Sequence, residues 1–173
     1  MVIIITGASC CGKTKLSQSL LEKYHFPYLS IDHLKMGLIR SKQTTLTPYD
    51  DDKLVDYLWN IVKEIIKTAI ENNQNLIIEG CYIPFDYQNY FTPSYLKDIK
   101  YLCLIMSENY INNHFDEIKN HANDIEKRLY QEFDKQTLIN DNNYFLKNCI
   151  KYNLNYHLFD LEYDVNKIKS MRD

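Results

Sequence analysis

Short apolar runs alternate along this chain with longer segments in which apolar residues have helical spacing. The first run, Val2 to Thr6, is rich in β-branched residues and predicts a strand buried on both faces. Similar runs predict four further strands, at residues 27–31, 75–79, 101–106 and 156–161. Helical spacing predicts helices at residues 14–23, 33–40, 50–69, 108–134 and 136–152, and a short helix at the end of the chain. Because strands alternate with helices, we expect an α/β domain with a parallel sheet and helices on both faces.

The helix predicted at residues 50–69 carries the clearest pattern. Asp50 to Asp52 predict its N-cap and first turn, where carboxylates favour the positive end of the helix dipole. Its predicted core stripe consists of Leu54, Val55, Leu58, Ile61, Val62, Ile65, Ile66 and Ala69. In the helix at residues 136–152, the predicted core contacts are Leu138, Phe145, Leu146, Cys149 and Ile150.

Composition and charge argue against several classes of protein. A length of 173 residues, with 45% apolar and 25% charged residues, fits a single domain over residues 1–173. A net charge of −3 argues against a nucleic-acid partner, because proteins that bind nucleic acids need a basic surface. The five cysteines form no CxxC pair, which argues against a zinc site or a disulfide framework and favours a cytoplasmic protein. We expect neither a signal peptide nor a membrane helix, because the chain begins with a strand-like run and lacks a long apolar stretch.

The strongest chemical signal is the phosphate-loop pattern GxxxxGK[ST], which residues 7–14 match without a mismatch. Its glycines let the backbone turn sharply, so that successive N–H groups form a nest for the phosphates of ATP. Lys13 is expected to reach the β- and γ-phosphates, and the Thr14 hydroxyl to take a Mg²⁺ position. The predicted nucleotide-binding residues are Gly7, Ser9, Cys10, Cys11, Gly12, Lys13, Thr14 and Lys15. The alternative is a glycine turn with a surface lysine and no ligand.

This loop, between a buried strand and an amphipathic helix, is the signature of the P-loop NTPase superfamily. The chain resembles the small-kinase branch, which includes adenylate-kinase-like enzymes and kinases of nucleosides and small metabolites. A GTPase is not indicated, because no NKxD-like motif follows. The resemblance implies a three-layer α/β/α sandwich with five parallel strands in the order 2-3-1-4-5. It also implies ATP and Mg²⁺ as cofactors.

A candidate catalytic carboxylate follows the second predicted strand. Asp32 would lie at the carboxyl edge of the sheet, where it could orient the acceptor, take its proton or hold Mg²⁺. The alternative is an N-cap for the helix at residues 33–40. The segment looks like the Asp-x-Leu-Arg stretch of adenylate-kinase-like and polynucleotide-kinase-like enzymes, with Lys35 in place of the arginine that grips an acceptor phosphate. Lys35 and Arg40 are therefore candidate substrate-binding residues, or else solvated helix charges.

Two further segments complete the predicted site. Glu79 ends the third predicted strand, in a stretch that resembles the IIEG of uridine-kinase-like enzymes. There it would contact the substrate or support Mg²⁺ through water; the alternative is an ordinary strand end. Residues 107–133 resemble the lid of small kinases, and Arg128 is the best candidate for a catalytic lid cation. The other lid cations are Lys119, His121 and Lys127.

The sequence therefore predicts a kinase that uses ATP and Mg²⁺. The predicted catalytic residues are Lys13, Asp32 and Arg128, and the predicted metal ligands are Thr14, Asp32 and Glu79. The acceptor is expected to be a nucleoside, a nucleotide or another small metabolite. Two alternatives stay open: a kinase of polynucleotide 5′-hydroxyls, which would need a basic channel, and an ATP-binding regulatory module with little turnover.

Overall fold

The centre of the molecule is a five-stranded parallel sheet with the strand order β2-β3-β1-β4-β5. The computed structural model describes residues 1–121, 134–164 and 168. Its strands are β1 Val2–Gly7, β2 Tyr28–Ser30, β3 Leu76–Glu79, β4 Ile99–Met106 and β5 Tyr156–Phe159. The sandwich predicted from the family resemblance, including its strand order, is confirmed.

Helices connect the strands and cover both faces of the sheet. They are α1 Lys13–Tyr24, α2 Ile31–Arg40, α3 Asp51–Glu71, the short α4 Pro93–Leu96, α5 Glu108–His121 and α6 Lys135–Lys151. A 3₁₀ turn spans Tyr87–Tyr90. Among the described residues, no helix combines the length and the apolar character that crossing a membrane requires.

The central strand β1 explains why a run of β-branched residues was the first signal in the sequence. All six of its residues are buried. Val2 and Ile4 face the hydrophobic cluster built around α3, whereas Ile3 and Ile5 face the cluster that contains residues of α1 and α5. A strand covered on both sides has no polar face, and it therefore shows a continuous apolar run rather than alternation.

The long helix α3 confirms the predicted start and most of the predicted stripe. Val55, Ile61 and Ile65 of that stripe are only partly buried, and the buried Trp59 was not predicted. Asp50 is its N-cap, and Asp51 and Asp52 lie in its first turn. The Asp50 carboxylate accepts hydrogen bonds from the backbone N–H and the hydroxyl of Thr47, at 2.8 and 2.7 Å. It thus closes the preceding loop instead of capping a helical N–H. The residues of α3 that are fully buried are Leu54, Leu58, Trp59, Val62, Ile66 and Ala69.

Two details of the sequence analysis were wrong. Ile150 was expected in the core, but its side chain is 62% exposed, and the buried positions of α6 include Ile139 and Asn142 instead. The N-cap of α2 is Ser30, so Asp32 lies inside the first turn and is not the capping residue. The second correction removes the alternative role that the sequence analysis left open for Asp32.

The segment expected to form the lid is described only in part. Helix α5 covers its first half and has a kink at His114, where φ is −124° and ψ is 20°. Lys127 and Arg128 lie outside the described residues. The catalytic role expected of Arg128 stays a prediction, as does the interpretation of residues 1–173 as a single domain.

Candidate active site

The phosphate loop lies at the carboxyl end of β1 and leads directly into α1. Its turns use positive φ angles at Gly7 (141°), Cys10 (65°) and Gly12 (82°). At Gly7 a side chain is excluded, because a Cβ atom there would collide with the backbone carbonyl oxygen of Leu104 on β4. The loop therefore adopts a conformation for which its first glycine is required.

The start of α1 is open toward the loop. Gly12 is its N-cap and offers no side chain to accept a hydrogen bond from the first helical turn. The first N–H groups of a helix have no partner inside the helix, and they carry the positive end of its dipole. Together with the nest-like loop, this end of α1 provides a site for an anion such as a triphosphate.

Lys13 supplies the fixed positive charge of the site. Its side chain is buried, and its Nζ donates a hydrogen bond to the Ala8 carbonyl at 2.9 Å. Burial alone would lower the pKa of Lys13, but the acidic groups around it, first the Cys81 and Cys11 thiols and then Glu79 and Asp32, raise that pKa on balance. Lys13 is therefore charged at neutral pH, and its side chain bends back to the carbonyl of Ala8 in the loop.

A buried asparagine ties the loop to α6. The Oδ1 atom of Asn142 accepts hydrogen bonds from the Cys11 thiol at 3.2 Å and from the Met106 N–H at 2.8 Å. Its Nδ2 donates to the Leu138 carbonyl at 2.9 Å. Burial raises the pKa of Cys11 to about 12, so the thiol stays protonated and can act as the donor. The sequence analysis missed Asn142, because nothing in its polar neighbourhood marks it as buried.

The candidate carboxylates meet the loop because the sheet is parallel. In the registers of the strands, Glu79 pairs with Ser30 of β2 and with Ile5 of β1, so the carboxyl ends of the three strands lie side by side. Glu79 is buried and Asp32 is partly buried. Both line the same cavity as Lys13 and Thr14.

This cavity has a volume of about 450 Å³, which falls within the range of small-ligand sites. Besides the loop and the two carboxylates, α5 and the segment after β5 form its walls. Its described lining residues are Cys10, Gly12, Lys13, Thr14, Lys15, Asp32, Glu79, Met106, Tyr110, His114, Glu117, Ile118, His121, Leu161, Glu162 and Tyr163. Gly7, Ser9 and Cys11 belong to the loop but do not line this cavity.

Tyr163 is a second residue that the sequence analysis missed. A Cβ atom at Gly12 would collide with the hydroxyl of Tyr163, so the tyrosine lies directly against the loop. The Lys15 ammonium lies 5.5 Å from the centroid of the same ring, and Phe159 packs against it with the ring centroids 4.6 Å apart. One tyrosine near the end of the described chain therefore forms the wall beside residues 12–15.

The two candidate anion-binding residues of α2 have different surroundings. The Lys35 ammonium forms an ion pair with Asp32 at 2.8 Å and donates a hydrogen bond to the Tyr82 hydroxyl at 2.8 Å. Arg40, the last residue of α2, is exposed and does not line the cavity. The structure thus brings Lys35 to Asp32, and it leaves Arg40 at the far end of the helix.

The donor set fits a magnesium ion that is shared with a nucleotide. Thr14, Asp32 and Glu79 offer hydroxyl and carboxylate oxygens, which Mg²⁺ prefers. Among the described residues, no group of three or more His, Cys, Asp or Glu side chains is arranged to hold a metal by itself. Mg²⁺ in kinase sites usually takes one or two protein carboxylates and completes its shell with water and substrate phosphates. The residues present therefore fit the ion as part of a nucleotide complex.

Comparison with known proteins agrees with this geometry. The model of the AAA_33 family, described as an AAA domain, matches residues 2–84, rather less than half of the chain. The matched part contains the phosphate loop, Asp32 and Glu79. No curated protein matches the sequence.

Solved structures match over nearly the whole chain. A sugar kinase from Janibacter sp. HTCC2649 has a TM-score of 0.59 at 13% identity, with 96% of this chain and 88% of the other covered. A gluconokinase from Sinorhizobium meliloti 1021 has a TM-score of 0.51 at 13% identity, with 96% and 86% covered. This chain has the fold of the small P-loop kinases.

A third example of the small P-loop kinase fold comes from a nucleoside kinase. The deoxyadenosine kinase from M. mycoides, solved with the products dCMP and dCDP, has a TM-score of 0.50 at 19% identity, with 96% of this chain and 93% of the other covered. At such identities the similarity establishes the fold alone, and the resemblance to the small-kinase branch stated from the sequence is confirmed at that level.

Proposed function

We propose that this chain is a phosphotransferase that uses ATP and Mg²⁺ and moves the γ-phosphate to a small acceptor, such as a nucleoside, a nucleotide or another small metabolite. One observation carries the proposal. The phosphate loop with its buried Lys13 faces two carboxylates, Asp32 and Glu79, across one cavity. Thr14 and Glu79 could serve Mg²⁺ in a site that only held a nucleotide, so the second carboxylate, Asp32, is the group that points to an acceptor.

The arrangement suggests a role for each residue. The triphosphate of ATP would lie on the N–H groups of residues 7–14, and Lys13 would exchange its bond to the Ala8 carbonyl for the β- and γ-phosphates. Asp32 would take the proton from the acceptor hydroxyl. The acceptor oxygen would then form a bond to the γ-phosphorus, while the bond from that phosphorus to the bridging oxygen breaks and ADP leaves. Thr14, Asp32 and Glu79 would hold Mg²⁺, which neutralises phosphate charge when it is bound.

The names of the structural relatives support the reaction class. Two of them are kinases of sugars or sugar acids, and the third is a nucleoside kinase. All three names describe phosphoryl transfer to small molecules, which is the class of reaction that the cavity suggests for this chain.

An Asp32→Asn variant distinguishes this proposal from a regulatory nucleotide-binding module. Asparagine keeps the shape of the side chain and one oxygen that can face Mg²⁺, but it cannot take a proton. We therefore expect ATP affinity, measured by calorimetry with Mg²⁺ present, to fall by less than about fivefold, while acceptor-dependent ADP release falls by about 100-fold or more.

The matched control is Asp98→Asn, because Asp98 immediately precedes β4 at the opposite edge of the sheet. Its ADP release should equal that of the unmodified protein. If Asp32→Asn released ADP as fast as Asp98→Asn, Asp32 would have no catalytic role. If neither the variants nor the unmodified protein bound ATP, the proposal would fail as a whole.

A further inference from the structure

From Asp32, which lines the cavity, a chain of polar contacts continues through three side chains that do not line it. The Lys35 ammonium lies 2.8 Å from Asp32 Oδ1 and donates to the Tyr82 hydroxyl at 2.8 Å. That hydroxyl donates in turn to Asp51 Oδ1 at 2.7 Å. Asp32, Lys35, Tyr82 and Asp51 therefore form one continuous network, which we call the acceptor-side network.

The charge of Lys35 is already satisfied within this network. Its side chain is only 12% exposed, and its ammonium also lies 4.7 Å from the centroid of the Tyr82 ring. Two of its three N–H donors point to Asp32 and Tyr82, and the ring face attracts the same positive charge. An acceptor phosphate would find only the third N–H donor of Lys35, and it would then lie beside the negative carboxylate that is proposed to receive the acceptor proton.

The other described cations near Asp32 are not placed to hold an acceptor anion. Lys13 is close enough for Asp32 to raise its pKa, but its ammonium bonds to the Ala8 carbonyl of the phosphate loop. Arg40 is eight positions after Asp32, about 12 Å away along the axis of α2. On α6, the exposed Asp141 adds a negative charge near Asp51. None of the cations Lys13, Lys35 and Arg40 is therefore placed to pair with an anionic group next to the reacting hydroxyl.

We infer that the acceptor is a hydroxyl compound that carries no phosphate or carboxylate next to its reacting group: an uncharged polyol, a nucleoside or an alcohol that bears an amine. The inference rests on the proposed function and narrows it, because it excludes nucleoside monophosphates and sugar acids. Lys35 and Tyr82 are positioning residues. Lys35 holds one oxygen of Asp32 so that the other oxygen can face the acceptor hydroxyl, and Tyr82 holds Lys35 in that position.

The first test compares neutral acceptors with anionic relatives, and it includes deoxy compounds because a phosphate ester also blocks one hydroxyl. The sets are glucose, 6-deoxyglucose and glucose 6-phosphate; glycerol, 1,2-propanediol and glycerol 3-phosphate; and adenosine, 5′-deoxyadenosine and AMP. Sorbitol and gluconate, which are both open chains, form a further pair. ADP release is measured for each compound with ATP and Mg²⁺. We expect at least one member without a negative group to raise ADP release tenfold or more above the background, while its anionic partner stays within twofold of the background.

Each outcome has a separate meaning. Faster turnover with the anionic member of any active pair overturns the inference and leaves the proposed function standing. Normal ATP binding with no response to any acceptor contradicts the proposed function, and the inference then falls with it.

The second test uses Tyr82→Phe and Lys35→Met with the best acceptor from the panel. Tyr82→Phe keeps the ring beneath Lys35 and removes only the hydroxyl that joins Lys35 to Asp51. Its matched control is Tyr87→Phe, since Tyr87 is equally buried but lies in the 3₁₀ turn and lines a separate pocket. For both network variants we expect kcat to fall at least fivefold while KM for the acceptor changes less than twofold, and Tyr87→Phe should change neither.

The opposite pattern would contradict the inference. If Lys35 binds an anionic group of the acceptor, Lys35→Met should raise KM at least tenfold with kcat retained, and Tyr82→Phe should have little effect. Lys35→Arg sharpens the distinction. A cation that positions Asp32 should recover part of kcat when arginine replaces lysine, and KM should remain unchanged.

Discussion

The two sides of this site differ in which atoms form them: backbone groups on one side and side chains on the other. The proposed nucleotide side consists of the eight consecutive residues 7–14, whose loop has positive φ angles at three positions and would bind phosphates through its backbone N–H groups. The acceptor side consists of side chains from three separate segments: Asp32 and Lys35 on α2, Asp51 on α3, and Tyr82 after β3. A loop that binds through its backbone should lose affinity when its conformation is disturbed. A side-chain network should lose its effect on turnover only when one of its hydrogen-bonding atoms is removed.

Gly7→Ala is the sharpest test of the backbone side, and it has the largest expected effect. The new Cβ would collide with the Leu104 carbonyl, which cannot move away because Leu104 pairs with Gly7 between β1 and β4. The residue would also be held at a φ of 141°. We expect the free energy of unfolding in urea to fall by about 3 kcal/mol and ATP affinity to fall with it.

Gly37→Ala is the matched control for this prediction. Gly37 lies inside α2, and a Cβ there would meet no atom within 4 Å. Alanine is favoured over glycine in a helix, so this variant should be about 0.5–1 kcal/mol more stable than the unmodified protein. If the two variants unfolded at the same urea concentration, the loop conformation would not be the constraint that the structure indicates.

Asn142→Ala tests how much the hydrogen bonds between α6 and the phosphate loop stabilise that loop. The change leaves the buried Met106 N–H and the Cys11 thiol without their acceptor. Losing a buried acceptor costs about 2 kcal/mol, and we expect that loss in the free energy of unfolding, together with weaker ATP binding measured by calorimetry.

The control is Asn148→Ala on the same helix. Asn148 also donates to the carbonyl four residues earlier, at 2.9 Å, but it does so at the surface and far from the loop. Its replacement should change stability by less than about 0.5 kcal/mol and leave ATP affinity unchanged. An equal effect of the two variants would show that Asn142 supports α6 rather than the loop.

The same contrast explains how much could be predicted from the sequence. The loop pattern at residues 7–14 and the buried run before it are local, so they were found directly, and the strand order followed from the family resemblance. Asn142 lies 131 residues from Cys11, and Tyr82 lies 47 residues from Lys35. Contacts over such separations depend on tertiary packing, and no spacing in the sequence encodes them.

Helix α6 shows where helical periodicity fails to predict which residues are buried. Ile150 was expected in the core because it is apolar, yet it is exposed, while the polar Asn142 is buried on the same helix. Helical periodicity ranks faces by their average hydrophobicity. It cannot recognise a face on which a buried polar residue makes three hydrogen bonds to partners that satisfy it.

Asp51 provides the test with the smallest expected effect, at the far end of the acceptor-side network. Asp51→Ala removes the oxygen that accepts the Tyr82 hydroxyl, and the loss of one hydrogen bond, about 1 kcal/mol, should lower turnover about fivefold. Asp51→Asn retains such an oxygen and should stay within about twofold of the unmodified protein. Neither variant should alter ATP affinity, because neither Asp51 nor Tyr82 lines the cavity beside the phosphate loop. Asp52→Ala is the control, since Asp52 is exposed in the same first turn of α3 and makes the same contribution to the helix dipole. If Asp51→Ala weakened ATP binding as strongly as Gly7→Ala, the two sides of the site would act as one unit, and the division drawn between backbone and side chains would be wrong.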